Sequence, residues 1–303
     1  MSHDITEKLE KKYTDLGENP NHYLRGLYHT KPVTYWDYIE VDTLLSLQRP
    51  KTNFKDETVF IIYHQVTELF LKLMIHEVKQ IVNVVEISEE LLKDKLKRLI
   101  RYTDMLTSSF DVMKDGMSYE DYNQFRLALT PASGLQSAQF RFLEIYCTPL
   151  INLVHQSERD NLPNHPEISD FFNHIYWKTA GYNPSKNEQS LTLKLFEEKY
   201  LQDLKNLAKN VEGSTLSEKF QTIENPSSEL VNLMKTFDHA YNVKWPLVHL
   251  NTAKHYLDKK GETKAATGGS EWKKYLHPKH QGRLFFPILW KDESILKFNP
   301  LSV

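Results

Sequence analysis

Apolar residues recur every three or four positions over most of the chain, which is the spacing of one face of a helix. Few segments alternate at every second residue, and glycine is scarce, with 10 in 303 residues. The sequence therefore predicts an all-α protein. Its longest helices are expected at about 57–86, 89–114 and 135–155, and from the 224–229 linker to about 259.

Single residues suggest where some helices begin, end or bend. Asp56 precedes the first long apolar run and is expected to cap that helix. Gly116 follows the second run and is expected to end it in the left-handed conformation. Pro246 lies inside the last run and should bend it. Residues 20–35 are expected to be irregular.

The same pattern predicts one helical-bundle domain with two additions. Residues 1–35 form an N-terminal arm, and residues 36–186 and 223–303 form the core. The stretch 187–222 is charged and amphipathic, which favours an accessory helical hairpin.

The charge balance narrows the partners. The net charge is −2 and 26% of the residues are charged, so no strong field would attract nucleic acid or an anionic membrane. The chain has 16 Tyr, 15 Phe and 5 Trp, which suits a large core or a pocket for a flat ligand. We therefore expect neither a nucleic-acid nor a membrane partner.

Cysteine usage indicates the compartment. Cys147 is alone, so an intrachain disulfide and a thiolate cluster are both excluded, and a reducing environment fits best. The first residues are polar and charged, without an apolar signal core. No window of eighteen residues is apolar throughout, so no spanning helix is expected. A cytoplasmic location follows.

His64 stands on the apolar side of the first long helix. It is either a core histidine bonded to a neighbour or an imidazole in an aromatic pocket that holds a ligand. Glu68 follows four residues later, which also raises a metal site. A two-metal bundle needs Glu-x-x-His motifs on other helices, and the sequence has no such pair.

Arg126 lies in a run of Phe, Leu and Ala, where an unpaired guanidinium would be costly. Its planar fork matches a carboxylate, which belongs either to an internal glutamate or to a ligand. The PASG turn at 131–134 follows and exposes Ser133.

His249 lies in a run of Trp, Pro, Leu and Val. A neutral imidazole on a rigid apolar helix is what a haem iron requires of its proximal ligand, although most such histidines have no ligand role. Cys147 is the other conceivable iron ligand, but a buried inert thiol fits its setting better. The stretch KAATGGSEW (264–272) is a solvated hinge or a loop that closes on a small anion, and it is not a Walker loop.

Taken in order, these stretches resemble the tryptophan 2,3-dioxygenase family, whose members are haem enzymes that open the indole ring. The resemblance covers about residues 33–275. It is carried by YWDYIEVDTLLSLQ, DETVFIIYHQVTELFLKLMIHE, FRLALTPASGLQSAQFR, the Trp and His of 245–249, and ATGGSEWKKYL.

The resemblance implies a role for each matching residue. His249 is similar to the proximal ligand of haem b iron, and His64 is similar to the catalytic distal histidine that meets the indole N–H. Arg126 would pair with the substrate carboxylate, and Thr267 would meet the substrate as its loop closes. The other implied substrate-binding residues are Phe60, Tyr122, Leu129 and Ser133, with Tyr35 and Tyr38 from a neighbouring subunit.

The resemblance further implies ferrous haem b as cofactor, L-tryptophan and O₂ as substrates, and a homotetramer. The reaction would insert both oxygen atoms across the indole C2–C3 bond and give N-formylkynurenine, in the kynurenine pathway of tryptophan catabolism. Two alternatives stay open: a related haem aromatic oxygenase acting on another indole or a phenol, and a non-catalytic haem or tryptophan sensor. Ala266 stands where the family's loop usually has glycine, which would stiffen its closure.

Overall fold

The computed structural model describes residues 2–183, 188–259, 262–263 and 272–290. These residues are helical almost throughout, which confirms the all-α prediction. The chain divides into two compact units, Met1–Arg49 and Pro50–Val303. The first unit therefore extends beyond the predicted arm, which ended at residue 35.

The first unit consists of short helices with many exposed apolar side chains. Residues 20–35 were expected to be irregular, which is wrong, because they contain a helix of ten residues. Asn19 caps that helix by accepting a hydrogen bond from the Asn21 backbone N–H, and Pro20 fits its first turn. The helices are α1 (Ser2–Asp15), α2 (Pro20–His29), α3 (Tyr35–Tyr38) and α4 (Val41–Leu45).

The second unit contains the remaining helices and two small strand pairs. Each pair is antiparallel and two residues long: β1 (Tyr182–Asn183) with β2 (Glu188–Gln189), and β3 (Asp258–Lys259) with β4 (Glu262–Thr263). The helices are α5 (Asp56–Val82), α6 (Glu89–Ser108), α7 (Phe110–Lys114), α8 (Tyr119–Phe125), α9 (Ala138–Cys147), α10 (Ile168–Asn173), α11 (Tyr176–Ala180), α12 (Leu191–Val211), α13 (Leu216–Gln221), α14 (Ser228–His239), α15 (Trp245–Leu257), α16 (Trp272–Leu276) and α17 (Pro278–Gln281).

Helix α5 is the centre of this unit and packs against α6 and α9. Leu71, Met74 and Val78 are almost completely buried on it. Their spacing of three and four residues places them on one face, as the periodicity predicted. By length and composition alone, α5 is also the one described helix that could cross a membrane, a property that core helices of soluble proteins share.

The expectation that Asp56 caps α5 is wrong. Asp56 is the first residue inside the helix, and its carboxylate accepts a hydrogen bond of 2.6 Å from the backbone N–H of Ser118. Glu57 receives the backbone N–H groups of Lys51 and Thr52 at 2.6 and 2.7 Å. These bonds tie the beginning of α5 to the chain before it and to the beginning of α8.

The predicted helix at 89–114 is two helices, α6 and α7, separated at Ser109. The hydroxyl groups of Ser108 and Ser109 donate to the carbonyls of Met105 and Leu106, at 3.2 and 2.8 Å. Such side-chain bonds compete with the helical ladder and favour a break.

Gly116 follows α7 but does not adopt the left-handed conformation that the sequence suggested. Glycine is required there for a different reason, because a Cβ atom would collide with the backbone carbonyl oxygen of Val112.

The last long helical run is divided by a π-helical turn at Ala240–Lys244, between α14 and α15. Pro246 lies in the first turn of α15 and has no N–H to donate to the carbonyl four residues earlier. A widened turn before proline relieves this conflict, so the predicted bend occurs here. The turn immediately precedes the helix that carries His249.

The 187–222 stretch contains the long helix α12 and the short helix α13. Leu193, Phe196 and Leu204 of α12 are almost completely buried, and α12 packs against α9. Thr215 caps α13 in a capping box with Glu218. This stretch therefore contributes to the core that surrounds the cavity described next.

Candidate functional site

A cavity of about 490 Å³ lies inside the second unit, between α5, α9 and α15. Its wall is mainly aromatic and aliphatic, as in sites for flat organic ligands. His64 from α5 and His249 from α15 both lie on this wall. Two histidines that are distant in the sequence thus face one space.

The His64 ring has a defined hydrogen-bonding state. Its Nδ1 lies 2.7 Å from the carbonyl oxygen of Phe60, and because a carbonyl only accepts, Nδ1 carries the hydrogen. Burial lowers the pKa of His64, while the bond to Phe60 and the negative charge of Glu68 act in the opposite direction. The net shift is downward, so at neutral pH the Nε2 atom carries a lone pair and can accept a hydrogen bond.

His249 is a neutral base on the same cavity. Burial, followed by the nearby His64, lowers the pKa of His249 to about 4. Its ring lies 5.2 Å from the ring of Phe110 and makes no hydrogen bond within the described ranges. Both histidines expose ring surface although they lie deep in the protein, because that surface faces the cavity. A neutral imidazole directed at a dry, flat space is the donor that a haem iron needs.

Aromatic rings form one end of the cavity. The ring of Phe60 lies 4.1 Å from His64, 5.6 Å from Phe125 and 6.1 Å from Tyr122. Tyr122 in turn lies 4.4 Å from Tyr256. Helix periodicity explains the first contact, since Phe60 and His64 are one turn apart on α5.

Leu129 and Ser133 also lie on the cavity wall, where the resemblance to the dioxygenases assigned them. Ser133 accepts a hydrogen bond from the backbone N–H of Leu135 at 3.3 Å and forms a capping box with Gln136. Its hydroxyl hydrogen can still be donated to a ligand.

Arg126 is buried but is not among the cavity-lining residues in the described part of the chain. Thr267 and its glycine-rich loop lie outside the described residues. Tyr35 and Tyr38 belong to the Met1–Arg49 unit, where they are 72% and 79% exposed. The cavity wall therefore contains part of the predicted set.

Sequence reasoning missed two charged residues of the wall, Glu68 and Arg141. The Glu68 carboxylate accepts a hydrogen bond of 2.9 Å from the side chain of Gln139. Its spacing of four from His64 could have identified it. Arg141 stands in the run QFRFLEIY and carries the same signal that singled out Arg126, a guanidinium among apolar residues.

Metal binding by side chains alone finds no support in the described ranges, which hold no group of three or more His, Cys, Asp or Glu placed to bind an ion. Cys147 is buried, and burial raises the pKa of its thiol well above the ordinary value. A protonated thiol is a poor metal ligand, so His249 is the better axial donor.

Comparison with known proteins adds a family to this geometry. A family model described as tryptophan 2,3-dioxygenase matches residues 26–148. A tryptophan 2,3-dioxygenase from Bacillus thuringiensis (strain Al Hakam) is 26% identical over 285 residues, which cover 87% of this chain and 93% of that protein. One from Ruegeria sp. (strain TM1040) is 36% identical over 133 residues, which cover 43% of this chain and 47% of that protein.

Proposed function

The chain belongs to the tryptophan 2,3-dioxygenase family, and from this premise we propose that it is a haem-dependent dioxygenase of L-tryptophan. The reaction breaks the indole C2–C3 bond and adds one oxygen atom of O₂ to each carbon, giving N-formylkynurenine. Both atoms of O₂ enter the product, so no external reductant is consumed in the net reaction.

One observation carries the proposal: two neutral imidazoles, His64 and His249, line one enclosed cavity. A distal and a proximal histidine are what a haem oxygenase requires on the two sides of its cofactor. An ordinary core histidine would instead be expected to satisfy both ring nitrogens with protein partners.

The wall chemistry fits haem b. His249 supplies an unprotonated nitrogen to the iron, and the aromatic and aliphatic wall suits the faces of a porphyrin. Ferrous haem, when bound, supplies the activation of O₂ that amino-acid side chains cannot provide.

His64 orients the substrate rather than acting as an essential base. Its Nε2 lone pair accepts the indole N–H, because Nδ1 is committed to the carbonyl of Phe60. The Phe60 ring lies against the indole plane, with Tyr122 at the edge of the same slot. The aromatic slot selects a large flat side chain and excludes water from it.

The family resemblance assigns the substrate carboxylate to Arg126 and the polar end of the amino acid to Thr267, with Ser133 as a further donor. Arg126 is buried off the cavity wall, so this role requires its guanidinium to turn into the cavity when tryptophan binds. A guanidinium is suited to the task because it binds a carboxylate through two parallel hydrogen bonds.

We also propose that the chain forms a homotetramer in which Tyr35 and Tyr38 reach a neighbouring subunit's site. Both tyrosines are largely exposed within their own unit. On α5, an apolar stripe is exposed at helical spacing, which is unusual for a lone soluble chain. Its residues, 38–46% exposed, are Ile62, Val66, Leu69 and Leu73.

A cytoplasmic location completes the proposal. It is supported by the single, free and buried cysteine, Cys147, which fits a reducing compartment. The net charge of −2 supports small molecules rather than nucleic acid as partners.

The test is an assay of the purified full chain loaded with haem b. With ascorbate and L-tryptophan in air, we expect ultraviolet absorbance from N-formylkynurenine to rise. The His249→Ala variant should lose both the haem absorbance and the product.

The same assay separates the alternatives. A change in the haem spectrum with tryptophan but without product would favour a sensor. Product from another indole or a phenol, but not from tryptophan, would favour a related aromatic oxygenase.

A further inference from the structure

Behind the cavity, two buried arginines share one buried glutamate. Arg141, Glu144 and Arg283 are 2%, 0% and 4% exposed. Glu144 accepts from Arg283 at close range, from Arg141 at 3.4 Å, and from the hydroxyl of Tyr176 at 2.6 Å. We call Arg141, Glu144, Tyr176 and Arg283 the buried arginine cluster.

The charges of this cluster do not balance within the described residues. It contains two guanidinium groups and one carboxylate. The Nε and Nη2 atoms of Arg283 have no hydrogen-bond partner in the part of the chain that the structure describes. A buried cation without a counter-charge is costly, so the cluster carries a positive charge that a further anion would neutralise.

Asp238, the other buried carboxylate of this region, does not supply that anion. It accepts hydrogen bonds from the backbone N–H groups of Phe285 and Phe286, at 2.9 and 3.2 Å, and from the side chains of Asn242 and Trp290. These donors are neutral, and they use the lone pairs of the carboxylate. Asp238 forms no ion pair within the described ranges.

Only Arg141 brings this positive charge to the cavity. It lies on the cavity wall, and so do Tyr176 and the neighbouring Phe140. Arg283 lies behind the wall and pairs most closely with Glu144, which leaves the more distant Arg141 less neutralised. The guanidinium of Arg141 is also held over the ring of Phe140 at 4.9 Å, which fixes its plane.

We propose that Arg141 is a carboxylate anchor in the cavity, with Glu144 and Arg283 as residues that position it. The proposal rests on the proposed function, because it concerns the ligands of the same cavity. Two ligands carry a carboxylate: haem b, on its propionate groups, and the amino acid. The position of Arg141 favours haem, because the Phe140 ring lies 5.1 Å from Trp245, one turn before His249 on α15.

The first experiment measures how fast the full chain releases its cofactor to excess apomyoglobin. The chain is loaded either with haem b or with haem b dimethyl ester, which has no free carboxylates. In the wild type, haem b should leave roughly ten- to a hundredfold more slowly than the ester, as a charge-assisted hydrogen bond implies. Arg141→Met should remove this difference by accelerating the loss of haem b alone.

Two further variants control for stability and charge. Arg141→Lys keeps the charge and should retain part of the difference. Lys95→Met removes a buried cation that pairs with Glu77 at 2.7 Å and is not among the cavity-lining residues. It should lower the thermal midpoint without changing the ratio of the two release rates.

The second arm distinguishes the sources of the carboxylate. Binding of L-tryptophan and of tryptamine, which lacks the carboxylate, is followed through the haem spectrum. If Arg141→Met removes the preference for tryptophan and leaves the ester ratio intact, the anchor serves the amino acid. If Arg141→Met changes neither preference, the anchor is refuted.

Failure of the anchor and failure of the proposed reaction are distinguishable. Formation of N-formylkynurenine without any effect of Arg141 refutes only the anchor. A carboxylate-dependent release rate without product refutes only the reaction. A wild-type chain that retains neither cofactor overturns the anchor together with the haem assignment.

Discussion

Replacing His64 by alanine tests whether its ring orients the substrate or transfers an essential proton. In the structure Nδ1 donates to Phe60 at 2.7 Å, which leaves Nε2 to accept the indole N–H. A net hydrogen bond between neutral groups contributes about 0.5–1.5 kcal/mol. His64→Ala should therefore reduce kcat/KM roughly two- to tenfold, whereas loss of a general base would reduce it about 10²- to 10⁴-fold.

A substrate analogue makes this prediction specific to one bond. In benzothienylalanine, a sulfur atom replaces the indole N–H. The wild type should bind the analogue more weakly than tryptophan by about the same factor, since the same hydrogen bond is missing. His64→Ala should not distinguish the two ligands, so the two losses should not add.

His76→Ala is the matched control, because His76 lies on the same helix, is exposed and is not among the cavity-lining residues. It should leave kcat/KM unchanged. The orientation role is refuted if His64→Ala abolishes turnover while tryptophan and O₂ still bind. It is also refuted if the variant still prefers tryptophan to the analogue as strongly as the wild type does.

Three further changes test the fold around the site. Glu77→Gln leaves buried Lys95 without its anion and should lower the free energy of unfolding by about 3 kcal/mol in urea titrations. Burial raises the pKa of Glu77, but Lys95 holds it below 4.5, so this stabilisation is present above about pH 4.5 and lost below it; the variant should lose less stability on acidification, and an equal loss would contradict the assignment. Phe237→Ala, in a fully buried position, should lower the free energy of unfolding by about 3–5 kcal/mol, and a loss under 1 kcal/mol would contradict its place in the core. Gly116→Ala places a Cβ against the carbonyl of Val112 and should lower the thermal midpoint, whereas an unchanged midpoint would contradict the close approach.

The sequence predicted the helices better than their ends. The apolar spacing identified α5 and its buried face, because that periodicity is a local property of the chain. It did not reveal the break at Ser109, where hydroxyl groups compete with the helical ladder. Nor did it reveal the helix that begins at Pro20, which depends on the cap from Asn19.

The site shows the same division between local and long-range information. The resemblance identified His64 and His249, and the structure brings both to one cavity. Arg126 and Arg141 gave the same local signal, a guanidinium among apolar residues. Their different surroundings depend on long-range packing, because Arg141 is held by Arg283, which is far along the chain. Periodicity carries no information about such contacts.

Isotope labelling of the product tests the central claim most directly. The full chain, loaded with haem b and kept reduced, is given L-tryptophan under ¹⁸O₂, and the product is analysed by mass spectrometry. The account predicts N-formylkynurenine that carries both labelled oxygen atoms. A product with a single labelled atom, or the absence of product while haem and tryptophan are bound, would contradict it.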